Sequence, residues 1–307
     1  MQNCNFCKSE NIKSISLNYK LVTSDIQKIS RKPKLFFCLS CNLLQKVINK
    51  NYLYGIEQIY KNYDGFEKYD QLDQTKFIGN VADSRCNIIY QKIFKNHGPL
   101  KKANILDFGC STGAMIKPFL DNENNISLYG TDVKDHININ FKKNSKFKKF
   151  IPLKNIYKSK VKFDYIFLIH VFEHLIDIDS FLKNVPKILK KTGKVIIQIP
   201  NYHKNPFDLF IYDHTYHYNK ISLANIFGSY SYEYKISDNL IQGEYFITLQ
   251  FLPRRKPKII KGNIKSTNIR LNWIKKTLTK LSKIKKFSIV GSSVTSLIIE
   301  SNFYHKI

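Results

Sequence analysis

Between about residues 101 and 251 the chain alternates short apolar runs with polar or amphipathic stretches. Asn104–Phe108, Ser127–Thr131, Phe163–Ile169 and Lys194–Ile199 read as buried strands. Between the last two, Ile178, Phe181, Leu182, Val185, Ile188 and Leu189 recur at a spacing that gives a helix one apolar face. Asp179 is placed to cap the start of that helix and Gly193 to follow its end. Pro186 predicts a kink inside it, and Pro118 falls early in a second helix expected after Gly113. Strand–helix alternation of this kind predicts an α/β fold, a Rossmann-like parallel sheet with helices on both faces.

Around this core the pattern changes. Residues 1–50 carry two cysteine pairs. Residues 51–100 form a lead-in rich in Tyr, Asn and Asp that turns helical from about Thr75 to Asn96, and Tyr60 and Tyr63 there are candidates to close over a substrate. Residues 252–307 open on a basic run (Arg254, Arg255, Lys256, Lys258, Lys261) and reach a strand-like stretch, Lys286–Val290, before Gly291. No internal repeat is evident.

Composition refines the picture modestly. The 307 residues hold 50 Lys and Arg against 23 Asp and Glu, a formal net charge of +27. Such a balance suits a polyanionic partner. Yet Lys, Asn and Ile are spread through strands and loops alike, and no RNA-binding motif accompanies them, so general bias with a preference for small anionic substrates is the simpler reading. Nucleic acid is not the expected partner. No apolar run reaches the length of a bilayer span and residues 1–10 lack the signature of a signal peptide, which points to a cytoplasmic protein without disulfides.

The chemistry concentrates first in Ile105-Leu-Asp-Phe-Gly-Cys-Ser-Thr-Gly113, a strand running through a glycine turn into a helix. Gly109 and Gly113 let the backbone turn sharply and approach a ligand, with helix-terminal N–H groups facing it. Asp132 ends the next strand, where a carboxylate can accept both hydroxyls of a ribose. A dinucleotide site would show G-x-G-x-x-G. Here the pattern is Asp107-x-Gly109-x-x-x-Gly113, with an acid before the turn.

That pattern resembles the first motif of class I SAM-dependent methyltransferases. Phe163–Leu175 and Leu189–Asn201 look like the fourth and fifth strand regions of the same superfamily. The resemblance implies S-adenosyl-L-methionine (SAM) as cofactor. Asp107 and Gly109 would line its methionine end, Asp132 the ribose and His170 the far side of the sulfonium, with Ser111, Gly113 and Val133 also in the cofactor site. A capped histidine at a strand end is an equal reading of His170. Glu173 and His174 match a Glu-His-Leu of the superfamily and are expected to orient the nearby loop. No acid for the adenine amine is evident in Phe141–Phe150.

Cys4-x-x-Cys7 and Cys38-x-x-Cys41 are two C-x2-C pairs thirty residues apart. Two thiolates on each tight turn complete a tetrahedral Zn–S4 site with no position left for substrate, hence a structural zinc. Cys86 and Cys110 have no spaced partners and read as ordinary buried thiols.

The order of zinc module, SAM domain and basic tail resembles the sugar C-methyltransferase family, which methylates nucleotide-activated deoxysugars. In that family the second cysteine pair sits in C-x-x-C-[GN]-[LF]-x-Q, matched by Cys38-Leu-Ser-Cys-Asn-Leu-Leu-Gln45. The family's Glu-His pair after the fifth strand corresponds to Asp213-His214, with Asp replacing Glu, and Tyr218-Asn219 replaces Phe-Ser. His214 is thereby the candidate general base with Asp213 to orient it, and His217 is a second candidate. A polar turn capping a helix near Ile221 is the alternative. Family members continue into a further Rossmann-like domain, which Lys286–Ser296 resembles only at its beginning, leaving substrate choice and activity in doubt. The acceptor is expected to be a nucleotide-sugar of polysaccharide biosynthesis. An O-methyltransferase of glycans or small molecules, an RNA methyltransferase or RNA-binding protein, and an inactive SAM-binding fragment stay open, as does the oligomeric state.

Overall fold

The computed structural model describes residues 2–16, 19–25, 27–29, 33–61, 73–78, 81–94, 100–230, 232–252, 264–284 and 294–303. The basic run at 254–261, the stretch 286–293 and Tyr63 lie outside the described residues.

The N-terminal segment contributes β1 (Ile12–Ile15), β2 (Leu21–Val22), β3 (Lys28–Ile29), β4 (Leu35–Cys38) and β5 (Leu44–Lys46). The lead-in holds α1 (Lys50–Lys61), β6 (Thr75–Ile78), β7 (Val81–Ser84) and α2 (Arg85–Phe94). The continuous helix expected from Thr75 is therefore a hairpin followed by a helix. Thr75, Ile78 and Val81 are β-branched and pair across the hairpin, with Thr75 opposite Ser84 and Ile78 opposite Val81. The helix begins only where an apolar face (Cys86, Ile89, Tyr90, Phe94) can be buried.

Next come β8 (Lys101–Phe108), α3 (Ile116–Asn122), β9 (Asn125–Thr131), α4 (Ile139–Lys142), β10 (Phe147–Phe150), β11 (Phe163–Ile169), α5 (Ile178–Asn184) and β12 (Leu189–Pro200). They are followed by β13 (Tyr216–His217), α6 (Lys220–Gly228), β14 (Tyr232–Ser237), β15 (Glu244–Phe251), α7 (Lys265–Lys283) and α8 (Val294–Phe303). Seven strands form one sheet in the order β10-β9-β8-β11-β12-β15-β14. The first five are mutually parallel, while β15 runs antiparallel to β12 and β14 to β15. The α/β, Rossmann-like architecture read from the alternation is the one found. The chain reverses its progress across the sheet at β8, so the crevice beyond the carboxyl ends of β8, β9 and β11 is where a ligand of such a sheet sits.

The predicted apolar face holds, as Ile178, Phe181, Leu182, Val185, Ile188 and Leu189 are all buried. Its helix is shorter than expected. Pro186 lies in a 3-10 turn, Val185–Lys187, that ends α5, because proline has no N–H to continue the ladder. Asp177, not Asp179, caps the start by accepting from the Ser180 N–H at 2.9 Å. Gly193 lies within β12, where a Cβ would meet the Phe163 carbonyl at 2.8 Å, so strand approach and not helix termination requires a glycine.

The smaller sheet, β1-β4-β5-β13, takes its last strand from Tyr216–His217, far along the chain. Tyr216 pairs with Gln45 and His217 with Leu44. Cys4, Phe36, Cys38, Cys41 and Leu43 share one continuous apolar core with Leu168, Phe172, Tyr216 and Tyr218. The C-terminal helix also packs inward. Ile298 and Phe303 are buried with Leu21, Val22 and Phe210, and Lys28 pairs with Glu300 at 2.7 Å. Among the described residues no helix is long and apolar enough to cross a membrane.

Candidate functional site

The glycine turn after β8 has the backbone that its residues predict. Gly109 and Gly113 have φ of 77° and 93°. A Cβ at Gly109 would also lie 2.4 Å from Val171 Cγ2, so the turn tolerates no side chain there. Ser111, at φ 41°, is held in the left-handed region by its own N–H, which donates to Asp132 Oδ2 at 2.8 Å. The second Asp132 oxygen accepts from the Val133 N–H at 2.6 Å. Asp132 thus ties the end of β9 to the turn. A carboxylate has about four acceptor positions, so two remain for hydroxyls. Val133 presents an exposed side chain beside it.

Asp107 is buried at the end of β8, and burial, with Asp132 and Asp73 adding repulsion, pushes its pKa up to about 8. A buried carboxylate raised in this way is a group poised to meet a cation. Cys86 and Cys110 are buried, as expected of thiols without a site.

His170 caps β11 with φ 54°, a conformation that costs a non-glycine residue of order 1–3 kcal/mol and concentrates at functional sites. Its Nδ1 lies 3.1 Å from Glu173 Oε1 and its Nε2 lies 3.1 Å from Glu244 Oε2. Glu244 gathers charge from several elements: it accepts from Arg85 Nη2 at 3.1 Å and Gln198 Nε2 at 2.8 Å, and pairs with Lys76 at 3.1 Å. Nothing in the spacing around Glu244 announces this role, which depends on β15 lying beside β12.

The four cysteines converge. Cys4 Sγ lies 3.6 Å from Cys41 Sγ, and Cys7 Sγ 3.5 Å from Cys38 Sγ. Zn–S bonds of about 2.3 Å at tetrahedral angles set sulfurs about 3.8 Å apart, so the donor set fits a metal ion of that geometry. Gln45 Nε2 donates to Cys4 Sγ at 3.0 Å while its Oε1 accepts from the Asn5 N–H at 2.9 Å. Asn42 has φ 63°, a left-handed turn that glycine or asparagine adopts most readily. The Gly/Asn and Gln positions of the sequence pattern thereby have physical reasons.

The loop between β12 and α6 differs from expectation in its pairing. His214 Nδ1 bonds Asp208 Oδ1 at 2.6 Å, not Asp213. Asp213 turns away to Ser24, whose N–H and hydroxyl donate to it at 2.8 and 2.5 Å, and to His174 Nδ1, 3.4 Å from Oδ2 and 3.0 Å from the carbonyl. Asp213 lies in a turn just before β13, and the two neighbours reach different partners. Asp208 also takes His217 Nδ1 at 2.6 Å. Burial opposes its charge, but the two imidazoles hold this carboxylate below its usual range.

His217, the second candidate, is fully buried with Nδ1 on Asp208 and Nε2 3.3 Å from Lys46 Nζ, and burial together with Lys46 pushes it down to about 4. Lys46 itself is buried and donates to the carbonyls of Ile211 and of His214, the latter at 2.6 Å. Burial pulls it down to about 7 against the pull of Asp208 and Asp213. The Cys4 sheet thus pins the loop that carries His214. His214 packs edge-on against His174, ring centroids 4.6 Å apart. Asp208 and Lys46 escape a sequence reading because neither stands at a motif spacing from His214.

Residues 82–234 match the family model described as a methyltransferase domain. Ubiquinone biosynthesis O-methyltransferase from Pelagibacter ubique (strain HTCC1062) is 34% identical over 153 residues, 44% of this chain and 60% of that enzyme. The chain therefore spans 60% of the length of this curated relative. Solved structures of similar shape include the plantazolicin methyltransferase BpumL with a desmethylPZN analog and SAH. It is 17% identical, with a TM-score of 0.42, covering 55% of this chain and 81% of that one. The pyocyanin biosynthetic protein PhzM is 13% identical with a TM-score of 0.45, covering 54% and 55%. The glycine turn, the seven-strand order and the matched family model agree, and residues 82–234 of this chain are a methyltransferase domain of the class I, SAM-dependent kind.

Proposed function

We propose that this chain transfers the methyl group of SAM to a sugar, a nucleotide-activated deoxysugar, with His214 taking up the proton that the acceptor loses. In the transfer the S–CH3 bond breaks as the bond to the acceptor carbon or oxygen forms, and SAM leaves as the neutral thioether. The protein's part is to hold the partners in line and to receive the proton. With Nδ1–H of His214 donating to Asp208, the Nε2 lone pair is the free acceptor.

The observation that carries the sugar reading is the joint between the cysteine module and this loop. The residues that mark the module's resemblance, Asn42 and Gln45, serve the sulfur cluster, and the strand after Gln45's own is Tyr216–His217. The four sulfurs would hold a zinc ion whose chemistry is structural, every ligand position being taken by thiolate. O-methylation of a small molecule is the second reading, favoured by the name of the Pelagibacter relative. Labelled SAM offered with a panel of nucleotide deoxysugars, small phenols and bulk RNA tests all three. Label on a sugar supports the proposal, and label on a phenol or RNA alone overturns it.

Asp107 predicts how SAM binding depends on pH. Its folded-state pKa of about 8 stands above the ordinary 3.8, so the apo-protein holds this proton between those values. Stability contributed by the group is full at the acid end and is lost as pH rises toward 8. Cofactor affinity has the opposite sign, because only the carboxylate attracts the cationic methionine end. It should fall about tenfold per unit as pH drops below 8, and titration calorimetry of Asp107→Asn should show a flatter profile. An unchanged slope in the variant would remove Asp107 as the cause.

A further inference from the structure

Glu173 is 1% exposed, and neither of its carboxylate oxygens receives a hydrogen bond. His170 Nδ1 approaches Oε1 to 3.1 Å without its N–H being aimed at it. A carboxylate stripped of water and left so is costly unless something positive meets it. Besides His170, the imidazoles of His174 and His214 lie beside it. One donor atom each of Glu173, His174 and His214 lies within 4.8 Å of the others.

The outer contacts sort those donors. His214 Nδ1 is taken by the Asp208 carboxylate and His174 Nδ1 by the Asp213 backbone carbonyl, with the Asp213 carboxylate 3.4 Å away. An imidazole whose Nδ1–H is held by a carboxylate or carbonyl presents Nε2 as its lone pair, the outer-shell arrangement of metal-ligating histidines. Two such histidines and one carboxylate are the donor set of a divalent first-row ion with open positions. Charge agrees: Glu173, Asp208 and Asp213 are three buried carboxylates, and among the described residues Lys46 is the one buried ammonium contacting the loop of Asp208 and Asp213.

We propose that Glu173, His174 and His214 bind one divalent metal ion, separate from the four-cysteine cluster. Metal–ligand bonds of about 2.1 Å place donors roughly 3.0–3.4 Å apart, so these donors, all within 4.8 Å of one another, would close in by at most about 1.5 Å on binding. The site belongs to the loops following β11 and β12, at the carboxyl end of the sheet where SAM and acceptor meet. An ion there, keeping open positions, would hold an acceptor oxygen and make it more acidic. The inference rests on the methyltransferase reading of the domain; it is the alternative to His214 Nε2 as the proton acceptor, and Mn2+ uptake tells the two apart.

The probe is Mn2+, which prefers nitrogen and oxygen donors and competes poorly for four thiolates. Titrated into the 307-residue chain loaded with zinc and followed by the EPR signal of free Mn2+, it should bind once per chain. His214→Ala should abolish uptake, Glu173→Gln should do nearly the same, and Asp208→Asn should weaken it about 10–100-fold, with zinc content and circular dichroism unchanged. Asp208→Asn covers the case in which a ligand variant fails to fold. No uptake by the wild type at millimolar Mn2+, or uptake indifferent to all three variants, overturns the site. His214-dependent methyl transfer without Mn2+ uptake would end this inference while sparing the proposed activity. Uptake with no sugar methylated would do the reverse.

Discussion

His214→Ala should lower methyl transfer by about 10²–10⁴-fold, the range for a lost proton-transfer group, and leave SAM affinity within about twofold. The split follows from position. His214 is buried in the loop after β12, bonded to Asp208 and stacked edge-on with His174. The residues proposed to hold the cofactor, Asp107, Gly109 and Asp132, sit instead at the ends of β8 and β9. An acceptor-side residue acts on turnover, whereas a cofactor-side residue acts on binding. Single-turnover rates and calorimetric SAM affinity measured on the same preparation check this. Turnover within threefold of wild type would remove His214 from the chemistry, and a parallel loss of SAM binding would show that the loop had merely collapsed. Asp213→Asn should act differently from what its place beside His214 suggests. Its contacts are Ser24 and His174, so the loss should be one of loop position and not of base strength.

Removing metal from the cysteine cluster carries the second large effect. Structural zinc of this kind contributes on the order of 10 kcal/mol of coupled folding energy, which is as much as the whole stability of a typical domain. Purified protein should hold about one zinc per chain, and chelation or Cys38→Ser should release it. The consequence should not stay local. Cys4, Cys38 and Cys41 share a core with Phe172, Tyr216 and Tyr218, and β13 is paired to β5. Loss of zinc should therefore free the loop carrying His214 and abolish methyl transfer along with melting the module. Elemental analysis and thermal melting, with and without chelator, measure both halves. Metal-free protein that melts as the loaded form does would contradict the zinc site.

Much of this arrangement is legible in the chain itself. Strand positions, the glycine turn, the acid after the second strand and the cysteine spacing are local properties. Each depends on side-chain period, on backbone freedom at Gly109 and Gly113, or on two thiolates sharing one turn. Neighbouring residues decide them before any long-range contact forms. The left-handed Asn42 answers to that local pattern, whereas the sulfurs that meet at 3.5 and 3.6 Å come from the two separate turns.

What only the tertiary structure decided is who pairs with whom. Asp208 and not Asp213 holds His214. Asp213 serves His174, thirty-nine residues earlier in the chain. Lys46 crosses from the cysteine sheet to the same loop, and Glu244 from β15 collects Arg85, Gln198 and His170. Buried polar groups must find partners wherever packing brings them, since an unpaired one costs a few kcal/mol. Packing joins segments that sequence distance keeps apart. The candidate residues of the motifs were therefore readable from the chain, whereas their hydrogen-bond partners, and so the nitrogen left free on His214, were set by the fold.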